Sequence, residues 1–185
     1  DGQNLSTIIT TDLVPVDLNC LLYHLEQTIA KGYEVSGNKL QAKLYYDKAA
    51  QRKRAIRQYC WDPKAGFYVD YNLPERRFSG ALTLTGLYPL FFGIADTAQA
   101  VKVAGVIAKR FVRPGGVVTT LKKTGQQWDA PNGWAPLEYI TIEGLNRYGR
   151  KELARQIAMS WIQLNIKVFK ATGKLMEKYN VADTA

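Results

Sequence analysis

Residues 125–136 combine the side chains that proteins use to bind sugars. The segment carries two tryptophans, a carboxylate and three amide side chains, and two prolines and two glycines interrupt any regular element. Indole faces stack on the apolar faces of sugar rings, whereas Asp, Asn and Gln hydrogen-bond to hydroxyl groups. The candidate substrate-binding residues are Gln127, Trp128, Asp129, Asn132 and Trp134. Composition alone leaves an alternative open, a proline-rich turn whose tryptophans fill a core.

Histidine and cysteine are too scarce to support most other site chemistries. The chain has one histidine, His24, and two cysteines, Cys20 and Cys60, with no CxxC spacing. This set cannot build a zinc site of the usual kind, and His24 has no matching nucleophile motif for a triad. We expect both cysteines to be buried thiols, and we expect neither a metal nor an organic cofactor. Carboxylates remain as the candidate catalytic groups.

Four segments of the chain resemble trehalases of glycoside hydrolase family 37. Residues 127–136, QWDAPNGWAP, resemble the second signature of that family. Residues 10–19 (TTDLVPVDLN), 115–120 (GGVVTT) and 175–181 (LMEKYNV) resemble family elements in the same order and at the family's spacing. The resemblance covers essentially all 185 residues.

The resemblance implies an inverting cleavage of α,α-trehalose into two glucoses. Inversion uses two carboxyl groups about 6.5–9.5 Å apart, one protonating the leaving oxygen and one activating water. The resemblance matches the general base to Glu177 and puts the general acid upstream of residue 1. Asp129 is an alternative acid that the resemblance disfavours. Asn180 stands where the family commonly has Asp, which leaves the role of a second carboxylate there in doubt.

The resemblance also implies how the chain is organised. Residues 1–185 are expected to be part of a single (α/α)6 catalytic domain truncated at both ends, and inactive without the rest of the same enzyme chain. Bacterial relatives are periplasmic or cytoplasmic, and we expect the periplasm. The only other partner expected is the disaccharide itself.

Two alternatives remain beside the trehalase interpretation. One is a different (α/α)6 α-glucosidase, such as a glucoamylase-like enzyme. The other is a basic helical scaffold, since the net charge is +9 and basic residues cluster at Lys48, Arg52, Lys53, Arg54 and Arg57. We expect this cluster to be a solvated helix face, and we expect no nucleic-acid partner. No run of about 18 apolar residues occurs, so no membrane span is expected.

The elements that must position these residues are helical. Apolar residues recur at helical spacing, which predicts an all-α fold, with Asp17 as the N-cap of the first helix. The predicted helices are residues 18–30, 38–59, 82–93, 97–111, 135–148 and 151–169. Short links join them in three pairs, which predicts three antiparallel hairpins, half of the family's toroid.

The long links between the pairs are predicted to meet at one end of the bundle. If helices alternate in direction, residues 61–80, 112–133 and the segment after residue 170 emerge on the same side. The tryptophan segment and Glu177 are therefore predicted to share a rim. Within residues 61–72 we expect a turn and a short strand over 67–71, with its aromatic side chains packing beneath that rim. Thr119 and Thr120 are expected to tie the loop.

Overall fold

Six helices in three consecutive pairs make up most of the described chain. The computed structural model describes residues 4 and 7–183. The expected truncation concerns the two chain ends, which lie partly outside the described residues. The helices are α1 (Val16–Val35), α2 (Lys39–Tyr59), α3 (Tyr88–Phe91), α4 (Thr97–Val106), α5 (Ala135–Arg147) and α6 (Lys151–Thr172). Residues 36–38 link α1 to α2, residues 92–96 link α3 to α4, and residues 148–150 link α5 to α6, which confirms the predicted pairing. A 3-10 turn, Leu84–Leu87, leads into α3, and a π-helical turn, Ile107–Phe111, continues α4.

The helix starts follow local capping chemistry, with one departure from prediction. The side chain of Asn38 caps α2 by accepting a hydrogen bond from the backbone N–H of Gln41 at 3.2 Å. The predicted N-cap of α1, Asp17, is wrong. Pro15 is the N-cap and takes the extended conformation, so the helix begins at Val16, two residues earlier than predicted, and Asp17 lies in its first turn. There its carboxylate accepts from the backbone N–H of Leu18 at 2.7 Å.

Nine short antiparallel strands lie in the connections of the described chain. The strands are β1 (Leu13–Val14), β2 (Trp61–Asp62), β3 (Phe67–Tyr68), β4 (Tyr71–Asn72), β5 (Arg77–Phe78), β6 (Val112–Arg113), β7 (Gly116–Val117), β8 (Asn132–Trp134) and β9 (Lys178–Asn180). β4 pairs with both β1 and β5, and three two-stranded ladders pair β2 with β3, β6 with β7 and β8 with β9. The predicted strand over residues 67–71 is divided in two, because β3 pairs with β2 whereas β4 pairs with β1 and β5. Between them, the carboxylate of Asp70 accepts from the backbone N–H of Val16 at 2.9 Å.

The three long links hydrogen-bond to one another, as connectivity predicts. The backbone N–H of Leu84, in the observed connection between α2 and α3 that extends the first long link, donates to the carbonyl of Thr119 in the second link at 2.9 Å. The second joins the third twice, from the N–H of Gly115 to the carbonyl of Val181 at 2.9 Å and from the N–H of Val181 to the carbonyl of Pro131 at 3.0 Å. The links therefore form one continuous rim on the helices.

Aromatic residues of the first long link pack into the core beneath the rim. Phe67 and Tyr68 are fully buried. The Phe67 ring stacks on that of Phe111 with centroids 5.7 Å apart, and the Tyr68 hydroxyl donates to Gln99 Oε1 at 2.7 Å. The packing role predicted for this segment is confirmed. Cys20 and Cys60 are likewise buried free thiols, as predicted.

No helix in the described part of the chain is both long enough and apolar enough to cross a membrane.

Candidate functional site

An antiparallel ladder joins the tryptophan segment to the segment that contains Glu177. Strand β8 ends the tryptophan segment and pairs with β9, in the register Asn132 with Asn180, Gly133 with Tyr179 and Trp134 with Lys178. Glu177 immediately precedes β9. The structure therefore brings together two candidate regions that are 49 residues apart when counted from Trp128 to Glu177.

The two tryptophans form a stacked pair with unequal exposure. Their ring centroids are 3.8 Å apart and their planes differ by 6°. Trp134 is 4% exposed, whereas Trp128 is 47% exposed. Trp134 is thus a packing residue that supports Trp128 from below, and the outer indole face of Trp128 is left open. A stacked aromatic pair contributes about 0.5–1.5 kcal/mol in addition to the free energy of burying its surface. The stack therefore restrains the ring of Trp128.

The carbonyl of Gln127 holds the turn between the tryptophans. It accepts from Trp134 Nε1 at 3.2 Å and from Asn132 Nδ2 at 3.1 Å. The side-chain amide of Gln127 is exposed and makes no hydrogen bond to any residue that the structure describes. The peptide bond between Ala130 and Pro131 is cis. Gln127 therefore offers its amide outward while its backbone organises the loop.

Asp129 uses both carboxylate oxygens inside the loop. Oδ1 accepts from Thr120 Oγ1 at 3.3 Å, and Oδ2 accepts from the backbone N–H of Thr124 at 3.2 Å and from the Thr124 hydroxyl. Thr119 Oγ1 donates to the carbonyl of Asn132 at 3.1 Å. The expectation that Thr119 and Thr120 tie the loop is confirmed. Asp129 accepts the hydrogen bonds that connect it to Thr120 and Thr124 in the same loop.

Glu177 is an exposed carboxylate at the edge of this arrangement. It forms no hydrogen bond or ion pair with the residues that the structure describes, so both oxygens are available to water. Its successor, Lys178, places Nζ 5.9 Å from the centroid of the Trp134 ring. Because Lys178 is in the ladder, the backbone that bears Glu177 is anchored on one side.

Asn180 performs a backbone role at the far end of β9. Its Oδ1 accepts from the backbone N–H groups of Ala182 and Asp183, both at 3.1 Å. A carboxylate oxygen would accept the same two bonds, so an amide substitutes for Asp here without losing this turn.

One buried carboxyl group near the site was not among the sequence-based candidates. Glu138, in the first turn of α5, is 1% exposed, and its Oε1 accepts from the backbone N–H of Val117 at 2.8 Å. Burial raises its pKa to about 8, against the smaller opposing effect of the Val117 hydrogen bond. The sequence does carry a signal, since Glu138 shares one helix face with Thr141 and Leu145 at i+3 and i+7, and both are buried.

The basic cluster on α2 is largely engaged in helix packing. Arg52 donates from Nε and Nη2 to Glu26 on α1 at 2.8–3.1 Å, and from Nη1 to Asn19 at 2.9 Å. Lys53 Nζ donates to the carbonyl of Gly93 at 3.0 Å, and Arg57 Nε donates to that of Ile94 at 2.7 Å. The prediction of a solvated face is therefore wrong for these three side chains, because they join α2 to α1 and to the connection between α3 and α4. This removes the main feature that favoured a polyanion-binding scaffold.

Among the described residues, no group of three or more His, Cys, Asp or Glu side chains is arranged to hold a metal ion.

Comparison with known proteins gives consistent relatives along the whole chain. A family model described as Trehalase matches residues 1–185. The chain is 46% identical over 185 residues to a periplasmic trehalase of Xanthomonas oryzae pv. oryzae, and 43% identical over 182 residues to one of Pseudomonas aeruginosa. These alignments cover 100% and 98% of the chain but 32% and 33% of the relatives. The chain thus spans about a third of the length of the curated relatives it matches.

Solved structures show the same arrangement of helices. The neutral trehalase Nth1 from Saccharomyces cerevisiae matches with a TM-score of 0.83 and 29% identity, over 93% of this chain and 34% of that one. A GH63 mannosylglycerate hydrolase from Thermus thermophilus matches with a TM-score of 0.76 and 19% identity, over 93% and 41%. The second likeness concerns the fold alone. Together they confirm the predicted (α/α)6 architecture, of which these three hairpins are a part.

Proposed function

The chain belongs to the trehalase family, and on that premise we propose that it forms part of an inverting glycoside hydrolase that cleaves α,α-trehalose into two glucoses. The 185 residues are then one part of a single catalytic domain whose remaining helices complete the pocket. The proposed compartment is the periplasm, in keeping with the names of the bacterial relatives.

In this proposal Glu177 is the general base. Its carboxylate takes a proton from a water molecule as that oxygen attacks the anomeric carbon, and the bond from that carbon to the bridging oxygen breaks. The bridging oxygen keeps the electron pair and takes a proton from a carboxylic acid outside these residues. The observation that carries the proposal is the pairing of Trp134 with Lys178, since it sets Glu177 beside the tryptophan loop.

The sugar-binding rim of the proposal comprises all five candidate residues, with two kinds of role. Trp128 offers an open indole face and Gln127 an unengaged amide, so these two are proposed to touch the sugar. Asp129, Asn132 and Trp134 hold the loop in shape through the bonds described above. The remaining acceptor positions of Asp129 and Asn132 can still face a hydroxyl group.

A substrate panel with product analysis tests this function. The intact protein is incubated with trehalose, maltose and kojibiose, and fresh products are followed by proton NMR before mutarotation. Inversion of α,α-trehalose releases α-glucose and β-glucose in equal amounts at first, whereas retention would release only the α anomer. Preference for maltose or kojibiose would instead indicate another (α/α)6 α-glucosidase. Salt-dependent binding to heparin without hydrolysis of any sugar would indicate a scaffold.

A further inference from the structure

The carboxyl group of Glu138 lies where three segments of the rim converge. It projects from the first turn of α5 and accepts from the backbone N–H of Val117 in β7 through Oε1. Its second oxygen, Oε2, is also buried and has no hydrogen-bond partner among the described residues. A buried polar atom without a hydrogen-bond partner lowers the stability of the fold. Its position beside a candidate site therefore points to a role in that site.

Two glycines give this carboxyl group its space. Gly116 in β7 has φ +140°, and a Cβ there would collide with Glu138 Oε1. A Cβ at Gly133 in β8 would lie 2.9 Å from the same oxygen and 2.6 Å from Val181 Cγ1, just after β9. The backbones of β7 and β8 therefore approach the carboxyl group closely from two sides.

The electrostatic surroundings favour the neutral acid. Burial raises the pKa of Glu138 to about 8. The charged side chains on the adjacent strands have other contacts, since Arg113 Nη1 donates to the carbonyl of Val112 at 2.7 Å and Lys178 Nζ lies over Trp134. The hydroxyl of Tyr179 accepts from the backbone N–H of Met176 at 2.8 Å. None of these groups is positioned to balance a negative charge on Glu138.

We propose that Glu138, as an uncharged carboxylic acid, is a positioning residue that fastens β7 to the first turn of α5, which continues directly from β8, and thereby sets the position of Glu177 through the ladder of β8 with β9. The part that concerns Glu177 rests on the proposed function. An ionised Glu138 would place an unbalanced charge between the two strands and loosen the rim.

Because protonation and folding are thermodynamically linked, the proposal also predicts how the stability of the protein changes with pH, and this test does not depend on activity. Between its ordinary pKa of 4.5 and the folded value of about 8, Glu138 is ionised in the unfolded chain but protonated in the folded one. Its contribution to stability is therefore complete below the unfolded pKa, declines as pH rises, and is lost above the folded pKa. Gln at this position keeps the acceptor oxygen and cannot ionise.

The first experiment compares the thermal unfolding of the intact protein with that of Glu138→Gln between pH 5 and 9. The Tm of the variant relative to wild type is expected to rise by several degrees from pH 5 to 8 and then level off. The matched control is Glu143→Gln, an exposed position on the same helix, whose Tm difference should not change with pH. A Glu138→Gln difference that stays constant across this range would overturn the neutral-acid assignment.

The second experiment separates positioning from mere stability. At pH 6, Glu138→Gln should keep kcat on trehalose within about threefold, while Glu138→Leu, which lacks the acceptor, should lose about tenfold or more in kcat with little change in KM. A folded Glu138→Leu variant with the kcat of wild type would overturn the positioning role. If that variant does not fold, a loss of kcat in Glu138→Gln at pH 6 would overturn it instead. Absence of trehalose hydrolysis by the wild type would instead reject the proposed function, and the Tm comparison would still decide the state of Glu138.

Discussion

Trp134 pairs with Lys178 across strands β8 and β9, so the tryptophan loop and the residue that follows Glu177 share one ladder. Strand pairing constrains the backbone more tightly than a contact between two flexible loops would. The proposed base is thus held against the proposed sugar platform by main-chain hydrogen bonds, while its own side chain stays unengaged. Water can therefore reach the Glu177 carboxylate without any rearrangement of the ladder.

Replacing Glu177 by Gln in the intact protein should abolish turnover while leaving binding intact. The amide keeps the size and hydrogen-bonding capacity of the side chain, but it cannot accept a proton from water. We expect kcat on trehalose to fall by about 10²–10⁴, the usual contribution of a general base, with Kd within a few-fold of wild type. Steady-state kinetics and calorimetric titration with trehalose measure the two quantities.

The matched control for this variant is Glu152→Gln, which changes an exposed glutamate in a different element, α6, where it makes only a surface ion pair with Arg155. Its kcat should equal that of wild type, since exposed pairs of this kind contribute about 0–1 kcal/mol. Near-normal turnover in Glu177→Gln would show that the base lies elsewhere.

The stacked tryptophans should separate binding from stability. Trp128→Ala removes the open ring and is expected to raise KM for trehalose about tenfold with a small loss of stability, because Trp128 is half exposed. Trp134→Ala removes a buried ring and should lower the free energy of unfolding by about 3–5 kcal/mol. Kinetics and chemical denaturation on both variants provide the comparison, and unchanged KM in Trp128→Ala would exclude it from the sugar platform.

The helical framework of the chain is visible in the sequence because each helix repeats its apolar residues over several turns. The alternation of short and long links then predicts that the long links lie together, and the hydrogen bonds among them confirm this. The two- and three-residue strands that join Trp134 to Lys178 are not predictable in this way, since so short a segment has no periodicity to detect. Their pairing depends on residues distant in the chain.

Side-chain roles within the site were less predictable than its location. Composition gives Asp129 and Trp134 the same standing as Trp128, yet packing buries Trp134 and the threonines engage Asp129. The sequence places Glu138 on a buried helix face, but it does not show that Gly116 and Gly133 lie close to its carboxyl group. Such roles arise from tertiary contacts, which override local preference.

Arg52 is predicted to stabilise the first hairpin. It forms a two-pronged ion pair with Glu26 and also contacts Asn19, and the side chains of Arg52 and Glu26 are only 29% and 14% exposed. Arg52→Ala should lower the free energy of unfolding by about 1–3 kcal/mol, because it leaves Glu26 unpaired in a partly buried place. Arg54→Ala, on the exposed side of the same helix, is the control and should change it by less than about 0.5 kcal/mol. Equal effects of the two variants would show that Arg52, like Arg54, is a solvated surface residue.

The isolated 185-residue chain is predicted to self-associate and to lack trehalase activity. Two apolar stripes are about half exposed, Leu18, Leu21 and Leu25 on α1 and Ile162, Ile166 and Phe169 on α6. Contiguous apolar surface of this kind is uncommon on monomers, so in the intact domain we expect other helices to cover it. Light scattering and dye binding should therefore detect association, and assays should detect no glucose release.

A double substitution distinguishes these stripes from ordinary exposed side chains. Leu21→Lys with Ile166→Lys should reduce association of the isolated chain, because the added charges interrupt both stripes, yet it should lower the Tm of the intact protein, where the same residues become buried against their neighbours. Val101→Lys changes a similarly exposed residue on α4 outside both stripes and should do neither. A monodisperse isolated chain that hydrolyses trehalose would refute the prediction, because the stripes would then need no covering and the site no further residues.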